Sequence, residues 1–193
     1  MLQQTPAARV APEYEAWIHK WPDAQSLSAA SAANVIRQWG KLGYPNRALR
    51  LHETSRIVTR NYSGELPDTY AELIALPGIG DYTANAILGF AFRQRSTVLD
   101  TNIRRPHPAL TKTEREFAER LVPSGHVKAA NWNIALMEFG ALVCTSQKPK
   151  CASCPLTGHC AWKKAGYPTG DRSRRTQKYL GTDRFVRGQI LQA

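Results

Sequence analysis

The stretch Leu76-Pro77-Gly78-Ile79-Gly80 decides the fold, because it places two glycines in a short turn between two segments with helical patterning. Glycine adopts positive φ without steric penalty, so we expect Gly78 and Gly80 to permit a tight turn whose backbone N–H groups point outward. The helix that follows adds the N–H groups of its first turn, which are suited to bind a phosphate oxygen. The sequence therefore predicts a phosphate-binding hairpin between two helices.

A helix–hairpin–helix of this kind holds the DNA backbone without reading the bases. A Gly-x-Gly pair alone is more often an ordinary turn, but this chain of 193 residues has a net charge of +11 and a pI of about 9.8. Such a basic excess favours a polyanionic partner, most simply DNA or RNA, although a generally basic protein has the same charge. No apolar run approaches the roughly 18 residues of a membrane span, so we expect a soluble, intracellular protein.

Periodic apolar residues predict helices along most of the chain, which makes the expected fold class all-α. We expect Thr5 to cap the first helix and Asp68 to cap a short helix that ends near Leu76. The predicted helices cover residues 6–20, 32–39, 46–60, 68–76, the segment after Gly80, 111–121 and 128–143. Residues 184–191 have a strand pattern, and residues 163–178 are polar, basic and interrupted by glycine and proline, which predicts a linker.

Four cysteines near the C-terminal end are the only ones in the chain: Cys144, Cys151, Cys154 and Cys160. Six, two and five residues separate them, so one short knuckle is flanked by two longer arms. Zinc ribbons usually pair two short knuckles, whereas this spacing suits a cubane 4Fe–4S cluster held by four thiolates. Zinc stays open as an alternative, and disulfides are disfavoured because no signal peptide indicates an oxidising compartment.

Asp100 lies where the apolar stretch Val98-Leu99 meets a polar one, 20 residues after the hairpin. By itself, an aspartate in such a position is most simply a helix N-cap. Its position relative to the hairpin makes the N-cap interpretation less favoured.

The hairpin, the aspartate and the cysteine loop together resemble the helix–hairpin–helix DNA glycosylases with a C-terminal iron–sulfur loop. The cysteine spacing matches the loop shared by endonuclease III and the A/G-specific adenine glycosylases, and the resemblance covers the chain from Met1 to about Trp162. It implies a helical glycosylase core over residues 1–143, with the hairpin near 71–92. An iron–sulfur loop follows over 144–162, and a basic linker with the remnant of a C-terminal domain over 163–193.

One local motif separates the two branches of this family. Endonuclease III has a catalytic lysine two residues after the second hairpin glycine, and its amine attacks the sugar to make the enzyme a lyase. Tyr82 occupies that position here and cannot form a Schiff base. The resemblance therefore implies a glycosylase without lyase activity.

Two further segments resemble the wedge of the adenine glycosylases, which enters the duplex beside the extruded base. Met1-Leu2-Gln3-Gln4-Thr5 is similar to the signature in which Leu and Gln enter the DNA. Leu42-Gly43-Tyr44, followed by Arg47 and Arg50, is similar to the loop whose Tyr stacks beside the lesion base. Without the motif, Gln3 and Gln4 are a frayed terminus and Tyr44 an ordinary surface or core aromatic.

The resemblance implies removal of adenine paired with guanine or 8-oxoguanine in double-stranded DNA, by a monomeric, cytoplasmic, nucleoid-associated enzyme of the bacterial type. The adenine leaves the base stack, and cleavage of its N-glycosidic bond builds positive charge on the deoxyribose. Asp100 is the residue implied to stabilise that charge, with Tyr82 and Asn102 nearby as hydrogen-bonding residues. Pro77, Gly78 and Gly80 are implied to hold the phosphates.

Three departures from the family pattern modify these expectations. Family members have a general-acid Glu two residues before the Met of Met-Leu-Gln-Gln-Thr, and this sequence starts at that Met. Loss of a general acid costs about 10²–10⁴-fold in rate, so we expect little or no excision. A misassigned start codon or a decaying gene would each explain why the Glu is missing.

We expect Pro106 and Pro108 to shorten the helix after Asp100, because proline cannot continue a helix interior. Residues 181–188 resemble the first strand of the domain with which family members recognise 8-oxoguanine, and this sequence ends shortly after that strand. We therefore expect a weak preference for 8-oxoguanine opposite the adenine.

Two other functions stay open. The first is an endonuclease III-like lyase, against which Tyr82 argues, and the second is a non-catalytic DNA-binding protein with an iron–sulfur cluster.

Overall fold

The computed structural model describes residues 1–3, 5–100, 112–168 and 180–190, and all regular elements in these ranges are helical. This confirms the all-α fold class. The chain divides into two compact units, Met1–Pro155 and Leu156–Ala193. The helices of the first unit are α1 (Ala7–Lys20), α2 (Ala24–Ser28), α3 (Ala32–Trp39), α4 (Asn46–Asn61), α5 (Tyr70–Ala75), α6 (Asp81–Ala86), α7 (Lys112–Leu121) and α8 (His126–Leu142).

Shorter helical turns connect these elements in the first unit. A 3₁₀ turn over Gly40–Leu42 follows α3, a π-helical turn over Ile87–Ala91 continues α6, and another 3₁₀ turn covers Cys151–Ser153. In the described part of the chain, no helix is both long enough and apolar enough to span a membrane.

The helix starts follow local capping, with two departures from the predicted caps. Thr69, rather than Asp68, caps α5 through its hydroxyl on the Glu72 N–H. Thr5 does not cap α1, which begins after Pro6 without a side-chain cap. The sequence reading also missed α2, although Asp23 and Ser26 form a reciprocal capping box at its start.

Two apolar clusters form the core of the first unit. One gathers α1 to α4 around three tryptophans, with Trp17 edge-on to both Trp21 and Trp39 at ring distances of 4.8 and 5.7 Å. The other packs α4 against α5 and α6 through Val58, Leu73, Leu76, Ala84 and Leu88. Because α4 contributes to both clusters, it joins the N-terminal segment to the hairpin.

The second unit contains α9 (Ala161–Lys164) and α10 (Asp183–Ile190). The strand predicted for residues 184–191 is wrong, because α10 covers most of that segment. Thr182 caps the helix, since its hydroxyl accepts the Phe185 N–H at 3.3 Å and its carbonyl the Val186 N–H at 3.1 Å. A good cap with an acidic residue in the first turn outweighs the short apolar alternation.

Candidate functional site

The hairpin between α5 and α6 has the tight turn that its glycines predict. The Ile79 N–H donates to the Leu76 carbonyl at 3.2 Å, and Gly78 has a φ of +79°. A Cβ at Gly78 would lie 3.0 Å from the Cβ of Arg50, so α4 approaches the turn closely. The Thr54 hydroxyl donates to the Pro77 carbonyl at 2.9 Å, which fixes the turn to the same helix.

Gly80 does not use the conformational freedom expected of it. Its φ is −98°, in extended backbone, and it is the N-cap of α6. Apart from its chain neighbours, no atom of the described residues lies within 4 Å of the place where its Cβ would be. Gly80 therefore leaves open space beside the N–H groups that begin α6, as a bound phosphate requires.

The N-terminal segment contacts the hairpin directly. The side-chain amide of Gln3 donates to the Gly78 carbonyl at 3.2 Å and to the Thr83 hydroxyl at 3.1 Å. Leu2 is 64% exposed, whereas Thr5 is buried. An exposed Leu next to a Gln attached to the hairpin suits the wedge role implied by the sequence; Gln4 lies outside the described residues.

Tyr44 is exposed in an uncommon backbone conformation. Its φ of +51° follows a φ of +77° at Gly43, and 61% of its surface is accessible. The indole N–H of Trp39 donates to the Gly43 carbonyl at 2.9 Å and holds the loop. A left-handed non-glycine residue is uncommon, and such strain often accompanies a function, here an aromatic ring held outward.

The two arginines predicted to bind DNA have different surroundings. Arg50 is exposed on α4 below Gly78, within reach of a phosphate at the hairpin. Arg47 is half-buried and directs its guanidinium at backbone carbonyls, and burial lowers the pKa of this group.

Tyr82 and Asp100 lie close enough to interact electrostatically. Partial burial is the larger cause that raises the pKa of the Tyr82 phenol, and the negative charge of Asp100 is the smaller one. The phenol therefore stays protonated at neutral pH and can donate a hydrogen bond. Asn102 and the segment with Pro106 and Pro108 lie outside the described residues.

The sequence reading missed an ionic network at the start of α6. Asp81 forms an ion pair with Arg115 of α7 and accepts the Tyr70 hydroxyl at 2.9 Å. That hydrogen bond raises the pKa of Tyr70. The network joins α5, α6 and α7 around the residue next to Tyr82. No sequence pattern indicates the pair, since 34 residues separate its members.

The segment that leads to Asp100 is fixed by buried hydrogen bonds that the sequence reading also missed. The side-chain amide of Asn133, which is 1% exposed, donates to the Ser96 carbonyl at 2.9 Å. The Ser96 hydroxyl donates to the Asn85 carbonyl at 2.9 Å. Gly89 makes room, because a Cβ there would lie 2.6 Å from the Ser96 hydroxyl oxygen. The approach to Asp100 is thereby bound to both α6 and α8.

The four cysteines follow α8, and all are half-buried. The Cys144 N–H donates to the Phe139 carbonyl at 2.8 Å, and Cys151 begins a 3₁₀ turn. In the second unit, the Cys160 sulfur accepts the Lys163 N–H at 3.4 Å. No disulfide joins Cys151, Cys154 and Cys160 in the described residues.

Four thiols within 17 residues are the donor set of a 4Fe–4S cluster, in which each iron takes one thiolate. Among the described residues, no three His, Cys, Asp or Glu side chains are grouped so as to share one metal ion. The donor chemistry fits the cluster, and Cys144, Cys151, Cys154 and Cys160 are the residues that would hold it.

Comparison with protein families gives two matches. Residues 1–121 match the HhH-GPD superfamily of base excision DNA repair proteins. Residues 144–160 match the iron–sulfur binding domain of endonuclease III, which supports the 4Fe–4S assignment. The second match starts at Cys144 and ends at Cys160.

Curated relatives share the same regions. The chain is 46% identical to adenine DNA glycosylase of Mycolicibacterium smegmatis over 201 residues, which covers 99% of this chain and 68% of the relative. It is 39% identical to human adenine DNA glycosylase over 173 residues, covering 83% of this chain and 31% of the relative. The chain thus spans about two thirds of the mycobacterial relative and about a third of the human one.

Solved structures have the same fold. A thermostable thymine-DNA glycosylase superposes with a TM-score of 0.77 at 28% identity, over 85% of this chain and 80% of that one. A trapped covalent complex of endonuclease III with DNA gives a TM-score of 0.76 over 86% of this chain and 81% of that one. At 24% identity, the latter shows the shared fold alone.

Proposed function

Because the chain belongs to the HhH-GPD superfamily of base excision DNA repair proteins, we propose that it is an adenine DNA glycosylase. The proposed substrate is double-stranded DNA in which adenine is mispaired with guanine or 8-oxoguanine. The observation that carries the proposal is the contact of the N-terminal Met-Leu-Gln-Gln-Thr segment with the hairpin, through the hydrogen bonds of the Gln3 amide to the Gly78 carbonyl and the Thr83 hydroxyl. The proposed protein acts as a monomer at the nucleoid.

DNA binding rests on three neighbouring surfaces. The phosphate backbone binds at Gly80, where the missing Cβ leaves open space at the start of α6, and Arg50 adds a positive charge. Leu2 and Tyr44 enter the duplex from two separate segments and fill the gap that the extruded adenine leaves. Gln3, bonded to the hairpin, keeps the first wedge segment at the phosphate site.

The chemical step is cleavage of the N-glycosidic bond. As the bond to adenine lengthens, the deoxyribose acquires oxocarbenium character, and the Asp100 carboxylate stabilises its positive charge. A water molecule adds at the anomeric carbon and gives up a proton to solvent, and the departing adenine takes up a proton from solvent. Tyr82 keeps its proton because its pKa is raised, so it serves as a hydrogen-bond donor. Tyr82 has no amine to attack the sugar, and hydrolysis therefore leaves an abasic site with an intact strand.

The cysteine loop holds the 4Fe–4S cluster, which supplies a covalent cross-link among residues 144–160 and, in this proposal, no step of the reaction. Lys148 and Lys150 in the loop place positive charge near the DNA backbone.

A single-turnover excision assay tests the proposal. The substrate is a duplex with adenine opposite 8-oxoguanine, and Asp100→Asn is the matched variant. With the reduced rate that the sequence leads us to expect, the expected result is slow excision by the chain that disappears in the variant, with no DNA adduct after borohydride. Binding without excision would instead support the non-catalytic DNA-binding alternative. A borohydride-trapped adduct would support the lyase.

A further inference from the structure

Arg47 contacts both wedge segments at once. Its guanidinium donates to the carbonyls of Met1 at 3.2 Å and of Gln3, and to the Thr5 hydroxyl at 3.0 Å. The same group donates to the carbonyls of Leu42 and Gly43, both at 3.3 Å. One side chain thus joins the segment with Leu2 to the loop with Tyr44.

Two aromatic rings complete the surroundings of this guanidinium. Its carbon lies 5.4 Å from the ring centre of Trp39 and 5.6 Å from that of Tyr44. Trp39 is buried in the first apolar cluster and itself bonds the Gly43 carbonyl. The planar cation is therefore held between a fixed core residue and the exposed wedge aromatic.

We propose that Arg47 is a positioning residue, not a phosphate ligand, and that it holds the two wedge segments in one arrangement so that they enter DNA together. This inference rests on the proposed function, since it explains how the DNA-binding wedge is organised. Five protein acceptors share the four N–H groups of the two terminal nitrogens of Arg47, and its Nε is buried with no partner among the described residues, so the guanidinium is committed to the fold. The sequence had placed Arg47 among the DNA-contacting residues, and only its surroundings separate the two roles.

The two roles predict opposite behaviour of a lysine. A phosphate ligand needs a positive charge, which lysine retains. A positioning residue at this place needs a planar guanidinium, which donates hydrogen bonds in several directions and stacks on aromatic rings. Lysine lacks this group. Arg47→Lys therefore separates them without changing the net charge.

The experiment measures binding to a duplex with 2-aminopurine, a fluorescent adenine analogue, opposite guanine. Affinity is followed over a range of salt concentrations, the fluorescence increase reports extrusion of the base, and thermal melting reports folding. Arg50→Gln serves as the phosphate-contact comparison, because it keeps methylenes beneath Gly78 and removes the charge. Arg37→Lys, on the exposed face of α3, is the control for the chemical change alone.

For Arg47→Lys we expect about tenfold weaker binding and loss of the fluorescence increase, with an unchanged salt slope. Arg50→Gln should reduce the slope by about 0.9, as for one lost phosphate contact, and keep the fluorescence increase of the bound complex. Arg37→Lys should match the unsubstituted chain in all three measurements.

Unchanged affinity and base extrusion in Arg47→Lys would overturn the inference. So would a salt dependence of binding whose slope falls by about 0.9 in Arg47→Gln, which removes the charge, because that result would indicate a phosphate contact. Where melting shows that Arg47→Lys does not fold, Thr5→Val decides, because it removes one acceptor of Arg47 and no charge. Weaker extrusion at an unchanged slope is then expected, and unaltered extrusion overturns the proposal. If the unsubstituted chain does not bind the duplex, the proposed function fails together with the role of Arg47. If the unsubstituted chain binds and extrudes the base but the variants behave like it, only the role of Arg47 fails.

Discussion

The two hairpin glycines should respond differently to the same substitution. Gly78 has a φ of +79°, and its Cβ would lie 3.0 Å from the Cβ and 3.2 Å from the Cδ of Arg50. The left-handed conformation costs an alanine about 1–2 kcal/mol, and overpacking of the fixed Arg50 Cβ adds about 1 kcal/mol. Gly78→Ala should therefore lower the free energy of unfolding by about 2–3 kcal/mol, or the Tm by roughly 5–10 °C.

Gly80→Ala should leave stability nearly unchanged and weaken DNA binding. Its φ of −98° suits alanine, and in the described part of the chain only its own neighbours come within 4 Å of the new methyl group. The less favourable N-cap costs at most about 1 kcal/mol. In the complex, however, the methyl group occupies the space through which a phosphate oxygen approaches α6, so affinity should fall about tenfold, the equivalent of one charge-assisted hydrogen bond.

Thermal melting and titration with a fluorescent duplex measure the two effects separately. Gly64→Ala is the matched control, since Gly64 has a φ of +90° but open space around the missing Cβ. It should show the conformational penalty alone and normal DNA binding. The reasoning is refuted if Gly78→Ala is no less stable than Gly64→Ala, or if Gly80→Ala binds DNA like the unsubstituted chain.

Three further predictions follow from the site. Gly89→Ala should lower the free energy of unfolding by about 1–3 kcal/mol in a urea titration and slow excision, because its Cβ would displace Ser96 on the segment leading to Asp100. The raised pKa of Tyr70 means that its hydrogen bond to Asp81 stabilises the fold fully below pH 10 and is lost as the pH rises through the folded-state pKa. Urea titrations should thus show a steeper alkaline loss of stability in the unsubstituted chain than in Tyr70→Phe. Cys154→Ser should weaken the visible absorbance of the iron–sulfur cluster and reduce the iron content measured per chain, whereas a zinc site would show neither absorbance nor iron.

The sequence predicted the parts of the fold that depend on local patterns. Helices such as α3 and α4 appear where apolar residues recur at helical spacing, and the hairpin turn occurs at Gly78. The strand predicted near the C-terminal end was wrong, because a few alternating apolar residues carry less information than the cap that Thr182 provides. The short helix α2 was missed because five residues show no period, although its capping box was legible.

The site depends on contacts that no local pattern indicates. The carboxylate of Asp81 and the guanidinium of Arg115 form an ion pair across 34 residues, and the Asn133 amide reaches the Ser96 carbonyl across 37 residues. Arg47 shows the same limit most clearly. Its place at the start of α4, just after the Tyr44 loop and close to Arg50, indicates DNA, while its contacts with five acceptors of the protein favour a structural task.

Release of free adenine tests the central claim most directly. The unsubstituted chain, Tyr82→Phe and Asp100→Asn are incubated under single-turnover conditions with a duplex that contains adenine opposite 8-oxoguanine, and the liberated base is quantified by mass spectrometry. With the reduced rate that the sequence leads us to expect, the account predicts slow adenine release by the unsubstituted chain, slower release still by Tyr82→Phe and none above background by Asp100→Asn. Equal release by all three proteins, or DNA binding by the unsubstituted chain without any released adenine, would contradict it.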